Sequence, residues 1–183
     1  MQRTELLLEA LSSFPDQLHA LFELIPHGYR NWKPDTWEGI PSEPFSAIEQ
    51  ICHVRDIEVE GYQVRFERLL HEESPKLASL DGAALAVAKR YSAADPESVF
   101  NEIRQARRRT LERISNLSEV QLVRRGQFEG YGEVTVQGLI HYLCSHDQQH
   151  LAGLHWLLGK IDSGSRRAEA GPLAAHHPIR SAK

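Results

Sequence analysis

The stretch Leu139–Gly159, LIHYLCSHDQQHLAGLHWLLG, decides the fold class. Val136, Leu139, Leu143, His146, His150, Gly153 and Leu157 follow one another in steps of three and four, the spacing of one face of an α-helix. The pattern predicts a helix over about 134–159, closed by Gly159 just past its last turn. Two places on the inward stripe belong to histidines four residues apart, so their imidazoles stack on the same face. Histidine on a core face costs a few kcal/mol unless its nitrogens find partners. One metal ion would serve both, as a His-x-x-x-His pair does in zinc peptidases. Hydrogen-bonded core histidines are the plainer reading of such a pair taken alone, and a third ligand would separate the two readings.

The second helical pattern, about 44–71, offers one. Ile48, Cys52, Val59, Tyr62, Phe66 and Leu69 form its apolar stripe, and His53 lies beside Cys52 with Asp56 one turn on. A neutral imidazole from this helix would complete a three-histidine site, with positions left for water or substrate, as a catalytic metal needs. The Glu-x-x-His motif of di-iron bundles is absent, since Gln50, Leu143 and Asp147 stand three residues before His53, His146 and His150. Zn, Ni, Fe and Mn all suit nitrogen ligands plus water.

Outward from these helices, residues 4–25 carry Leu7, Leu11, Phe14, Leu18, Leu21 and Ile25 on one face, with Pro15 as an expected kink. Residues 26–44 are rich in proline and glycine and read as a loop, with Trp32 and Trp37 placed over one end of the bundle. Ser42 and Pro44 look like a helix start. Residues 72–96 are irregular, with a short helix over 83–91. A third long helix begins at Asp95-Pro96 and runs to about Leu117. Residues 118–133 form a glycine-rich loop or a short hairpin. The expected domain is 1–159, followed by a small, polar, aperiodic tail over 160–183 that reads as disordered. No repeat and no useful strand-period segment appears, so an all-α four-helix bundle with one short extra helix is the economical fold.

Composition agrees. The 183 residues are 41% hydrophobic and 25% charged, enough to bury a core. The net charge is −4, and from Lys160 onward five basic residues face two acids, so the body is more acidic still. That excludes nucleic acid as the main partner. Arg3, Glu5 and Glu9 interrupt any signal-peptide core, and no apolar run approaches the roughly 18 residues of a membrane span. The expectation is a cytoplasmic protein with both cysteines reduced.

The order Ile48-Glu-Gln-Ile-Cys-His53-Val-Arg-Asp56, then Arg65, then Leu69-Leu-His-Glu-Glu-Ser-Pro75 and Asp81, resembles the DinB/YfiT-like superfamily. So do the Trp32-Lys33-Pro34 segment and the closing Gly138-Leu-Ile-His…His146-Asp-Gln-Gln-His150-Leu. The resemblance spans about Thr4–Gly159. It implies an antiparallel four-helix bundle, often a homodimer, whose metal is held by His53, His146 and His150. It also implies a small-molecule substrate. Some relatives are metal-dependent hydrolases, and others transfer low-molecular-weight thiols as cosubstrates.

Either chemistry fits one metal: it acidifies a bound water for hydrolysis, or holds a thiol as thiolate. A metal with a purely structural or sensory role is the non-enzymatic alternative. Asp56 is the candidate to orient a ligand imidazole. Asp147, about 100° round the helix from His146, is a weaker one. Cys52 and Cys144 read as buried small hydrophobes rather than nucleophiles. His141 and His155 are wrongly spaced for the same ion, and His176 and His177 fall in the tail. The basic run Arg104, Arg107, Arg108, Arg109 and Arg113 reads as a solvated face. One arginine turned inward could hold a substrate carboxylate. Asp81 reads as a cap or brace of the middle segment.

Overall fold

The computed structural model describes residues 2–40 and 42–169. Four long helical rods make the bundle: α1 (Gln2–Glu23); α2 (Ala47–Asp56), which runs through a π-helical turn at Ile57–Tyr62 into α3 (Gln63–His71); α5 (Pro96–Ile114); and α7 (Val136–Glu169). The short helices α4 (Gly82–Ala88) and α6 (Glu119–Leu122) lie in the connections. Asp81 caps α4, accepting from the Ala84 N–H at 2.9 Å, and Asp95 caps α5 in the same way through Ser98. Pro15 lies inside α1 without ending it. No helix among the described residues is long and apolar enough to cross a membrane.

Each rod packs on two others, α1 on α5 and α7, and α2 likewise. Pairs of contacting residues give the directions. Arg107 donates to the Leu11 carbonyl while Phe100 meets His19, so α1 and α5 are antiparallel. Gln50 meets His150 and His53 meets His146, so α2 and α7 are antiparallel too. Arg55 pairs with Glu102 and Gln63 with Thr110, so α2–α3 and α5 run parallel. The 72–95 connection explains this: it returns to the end where α2 begins, burying Tyr91 beside Cys52.

The 118–135 region holds a hairpin, β2 (Arg125–Phe128) with β3 (Gly132–Thr135), and β1 (Lys76–Leu77) adds to it in parallel. The third strand carries no sequence signal, because two residues cannot show a period.

The last helix does not stop at Gly159. Glycine inside a helix costs about 1 kcal/mol, but Ile161 is buried in the core and the Ser163 hydroxyl donates to the Gly159 carbonyl. The tail expected from Lys160 is therefore helical to Glu169, and its remainder, with His176 and His177, lies outside the described residues.

The core is in two parts. One contains Phe14, Leu18, Phe22, Ile51, Phe100, Ile103, Leu154 and Leu157. The other contains Leu11, Phe66, Leu69, Ile114, Leu139 and Leu143. In α2–α3, α5 and α7 the boundary carries buried polar residues, among them His53 and Glu58, Arg107, Asp147 and His150, whereas α1 crosses it between Leu11 and Phe14. This polar layer holds the candidate site.

Candidate metal centre

Helix α2 starts later than its prolines suggest. Ser46 and Glu49 form a reciprocal capping box, the Glu49 carboxylate accepting from the Ser46 N–H at 2.8 Å. The helix therefore begins at Ala47, and Ser42–Phe45 is left to fold over its first turns. From this start His53 points into the bundle, toward His146 and His150 of α7.

The three imidazoles converge through their Nε2 atoms. His146 Nε2 lies 3.3 Å from His53 Nε2 and 3.1 Å from His150 Nε2, and one nitrogen from each ring falls within 4.8 Å of the others. Ligand atoms around one tetrahedral ion with 2.0–2.1 Å bonds are roughly 3.4 Å apart, so these spacings are those of a single coordination sphere.

Proton placement supports the same fit. The His150 Nδ1–H donates to the Gln50 side-chain oxygen, which leaves Nε2 as a bare lone pair facing the other two rings. His53 Nδ1 and His146 Nδ1 are buried without partners, so no hydrogen bond there competes for either ring. Burial holds His146 and His150 well below the ordinary imidazole range and lowers His53 as well. Three neutral donors aimed at one point, with no protein donor between them, fit a divalent cation.

Two glycines allow the close packing. A Cβ on Gly82 would stand 2.7 Å from His53 Nδ1, and one on Gly153 would stand 2.8 Å from the Gln50 amide nitrogen. Gly82 reads in sequence as turn punctuation and Gly153 as a small residue on the stripe. Gly82 makes room for the His53 ring and Gly153 for the Gln50 amide. The rings of Phe45 and Tyr62 wall the site, 5.1 Å from His53 and 5.8 Å from His146.

Neither aspartate reaches a ligand imidazole by hydrogen bond. Asp56 turns to the middle segment, accepting from Tyr91 Oη at 2.7 Å and Arg55 Nε at 2.8 Å, with Lys89 Nζ at 3.0 Å. Burial opposes its charge, but these donors hold its carboxyl below the usual range. Asp147 forms a bidentate pair with Arg107, at 2.7 and 2.9 Å. The residue that orients one of the three imidazoles is Gln50 instead. Its place three before His53 puts it on the α7 side, a signal visible in sequence only as the wrong letter for a di-iron motif.

Arg107 is the inward arginine of the basic run, 2% exposed, but protein carboxylates occupy it. Besides Asp147 it donates to Glu58 at 2.9 and 3.1 Å and to the Leu11 carbonyl. Glu58 sits in the π turn. Regular α periodicity puts Val59 on the inner stripe, whereas the extra residue in the π turn brings Glu58 in and leaves Val59 half-buried. Arg104 pairs with Asp16, and Arg113 pairs with Glu67. Burial pushes the Cys52 thiol up to about 12 and Cys144 up to about 11, which leaves no thiolate for nucleophilic work. His141 and His155 stand apart from the cluster.

Fold and site together define a helical bundle with three histidine nitrogens converging at one point of its core. The family model of the DinB superfamily matches residues 10–154, and the chain belongs to that superfamily. The chain is similar to the solved structure of YfiT from Bacillus subtilis, with a TM-score of 0.78 and 18% identity. The match covers 88% of this chain and 89% of that one. That protein is described as "a probable metal-dependent hydrolase with an unusual four-helix bundle topology". No curated protein matches the chain.

Proposed function

We propose that the protein is a metal-dependent hydrolase of a small molecule, using His53, His146 and His150 as its ligands. The observation that carries this reading is the convergence of three neutral Nε2 atoms on one point, set at the boundary of two complete apolar clusters. A bundle with so much buried apolar surface does not need an ion in order to fold, which favours chemistry over structure. The description of YfiT as a probable metal-dependent hydrolase favours hydrolysis over thiol transfer.

A divalent ion at this point supplies Lewis acidity and acidifies water near neutral pH. The chain does the rest. Gln50 fixes the His150 tautomer, α2 and α7 hold the ligand nitrogens, and Phe45 and Tyr62 exclude bulk water from two sides.

The test is a panel of small esters and amides with metal-loaded protein, with and without added thiol. Hydrolysis without thiol, abolished by His150→Ala, is the expected result. Turnover of monochlorobimane that requires a thiol would move the protein to the transferase class. Strong metal-dependent melting with no turnover in either assay would favour the non-catalytic reading.

A further inference from the structure

Beside the three imidazoles lies a carboxylate that the spacing of motifs does not reveal. Glu43 belongs to the short segment before α2, and its side chain is 42% exposed. Its Oε1 is 3.3 Å from His53 Nε2, and its Oε2 is 3.9 Å from His150 Nε2. The first distance equals that between His53 and His146, one edge of a coordination sphere. The two contacts use different oxygens, and Glu43 lies outside the set whose ligand atoms fall within 4.8 Å of one another, so coordination needs its half-exposed carboxylate to turn inward. Among the described residues, its ion-pair contacts are with these two histidines and with no lysine or arginine.

The backbone beneath it is tied to the ligand set. The Glu43 carbonyl accepts from the Phe45 N–H at 2.7 Å and from the Gln50 amide at 3.4 Å. The same Gln50 side chain accepts from His150 Nδ1–H, so one residue holds both a ligand ring and the segment that carries the carboxylate. Pro44 follows directly and restricts the Glu43 backbone to extended conformations.

We infer that Glu43 is a fourth protein ligand of the ion, a carboxylate delivered by a loop to a site whose other three ligands sit on helices. The inference rests on the three-histidine reading and adds what fills the remaining position at rest. A half-exposed loop carboxylate is the ligand an incoming anionic or polar substrate displaces, since the three imidazoles are fixed by the packing of α2 and α7. The site is then closed without substrate and open with it.

Cobalt(II) is the probe. Metal-free wild type, Glu43→Ala, Glu43→Gln and His146→Ala are titrated against a competing chelator, and the visible spectrum is followed with and without azide. Wild type should bind one Co2+ with the intense absorption of a four-coordinate site. Glu43→Ala should bind it more than about 100-fold more weakly, beyond the upper end of what loss of an outer-sphere partner costs. It should also respond to azide at lower concentration than wild type, and Glu43→Gln should follow it. The metal-free melting temperature of Glu43→Ala should match wild type. Unchanged affinity and an unchanged azide response in Glu43→Ala would overturn the ligand role alone. Equal binding by wild type and His146→Ala, or no stoichiometric binding by either, would overturn the three-histidine reading beneath it.

Discussion

His146 and Asp147 are neighbours in sequence, yet they serve two polar clusters of opposite character in the same layer of the core. Asp147 joins Arg107 and Glu58 in a group where each charged atom has a partner within 3.1 Å. His146 joins His53 and His150 in a group of three neutral bases that face one another with no donor between them. The first cluster is complete as it stands. The second leaves Nδ1 of His53 and His146 without partners, and the proposed cation would close the gap between its Nε2 atoms. Buried polar groups are ordinarily satisfied, so the cluster left incomplete is the one to which function is assigned. Its satisfied neighbour holds the helices that carry it.

The sharpest way to break this contrast is His146→Ala. We expect wild type to carry one divalent ion per chain by elemental analysis and the variant to carry none. Metal-free stability should change by less than about 2 kcal/mol, because no protein partner of His146 is left bare. Arg107→Ala should do the reverse. It leaves two buried carboxylates uncompensated, and urea denaturation should show a loss of about 3–5 kcal/mol whether or not metal is present. If Arg107→Ala were nearly neutral, the triad would not be the brace described here.

Gln50→Ala comes next. Losing the acceptor for His150 Nδ1–H should weaken metal binding by about 10–100-fold in a chelator competition. Asp56→Asn, one turn beyond His53, should leave it unchanged, since its partners are Tyr91, Arg55 and Lys89.

The smallest effect is in pH. Burial lowers the His146 pKa in the folded chain, so below about 6.5 the unfolded state binds the extra proton and stability falls with falling pH. Asp147 acts with the opposite sign, its carboxyl pushed up by burial to about 7 against the pull of Arg107. The difference between metal-free wild type and His146→Ala removes that shared contribution. Between pH 7.5 and 5.5 wild type should lose more stability than the variant, by at most about 1.4 kcal/mol per pH unit below 6.5. A constant difference across that range would show that His146 is not held neutral by burial.

The helices were legible because their apolar residues repeat every three or four places, and the His146–His150 pair because it breaks such a stripe with polar groups. His53 was legible only as a candidate, since one histidine on one helix has no intrinsic partner. Glu58 and Gln50 were hidden for different reasons. A π turn shifts the phase of the helix, and periodicity read at 3.6 residues per turn assigns the wrong side chain to the interior. Gln50 has no chemistry of its own to mark it, and its role exists only because α7 packs so closely here that a Cβ at Gly153 would stand 2.8 Å from its amide nitrogen.

The sequence by itself determined the helical rods, the caps at Asp81 and Asp95, and the two histidines on one face of the last helix. These depend on neighbours three or four residues away, and local spacing carries them. Only the tertiary structure decided which helices run parallel, that Arg107 faces two protein carboxylates rather than a substrate, and that Glu43 and Gln50 meet the histidines. Those facts depend on contacts 100 residues and more apart along the chain, set by how the rods pack and where the 72–95 segment returns.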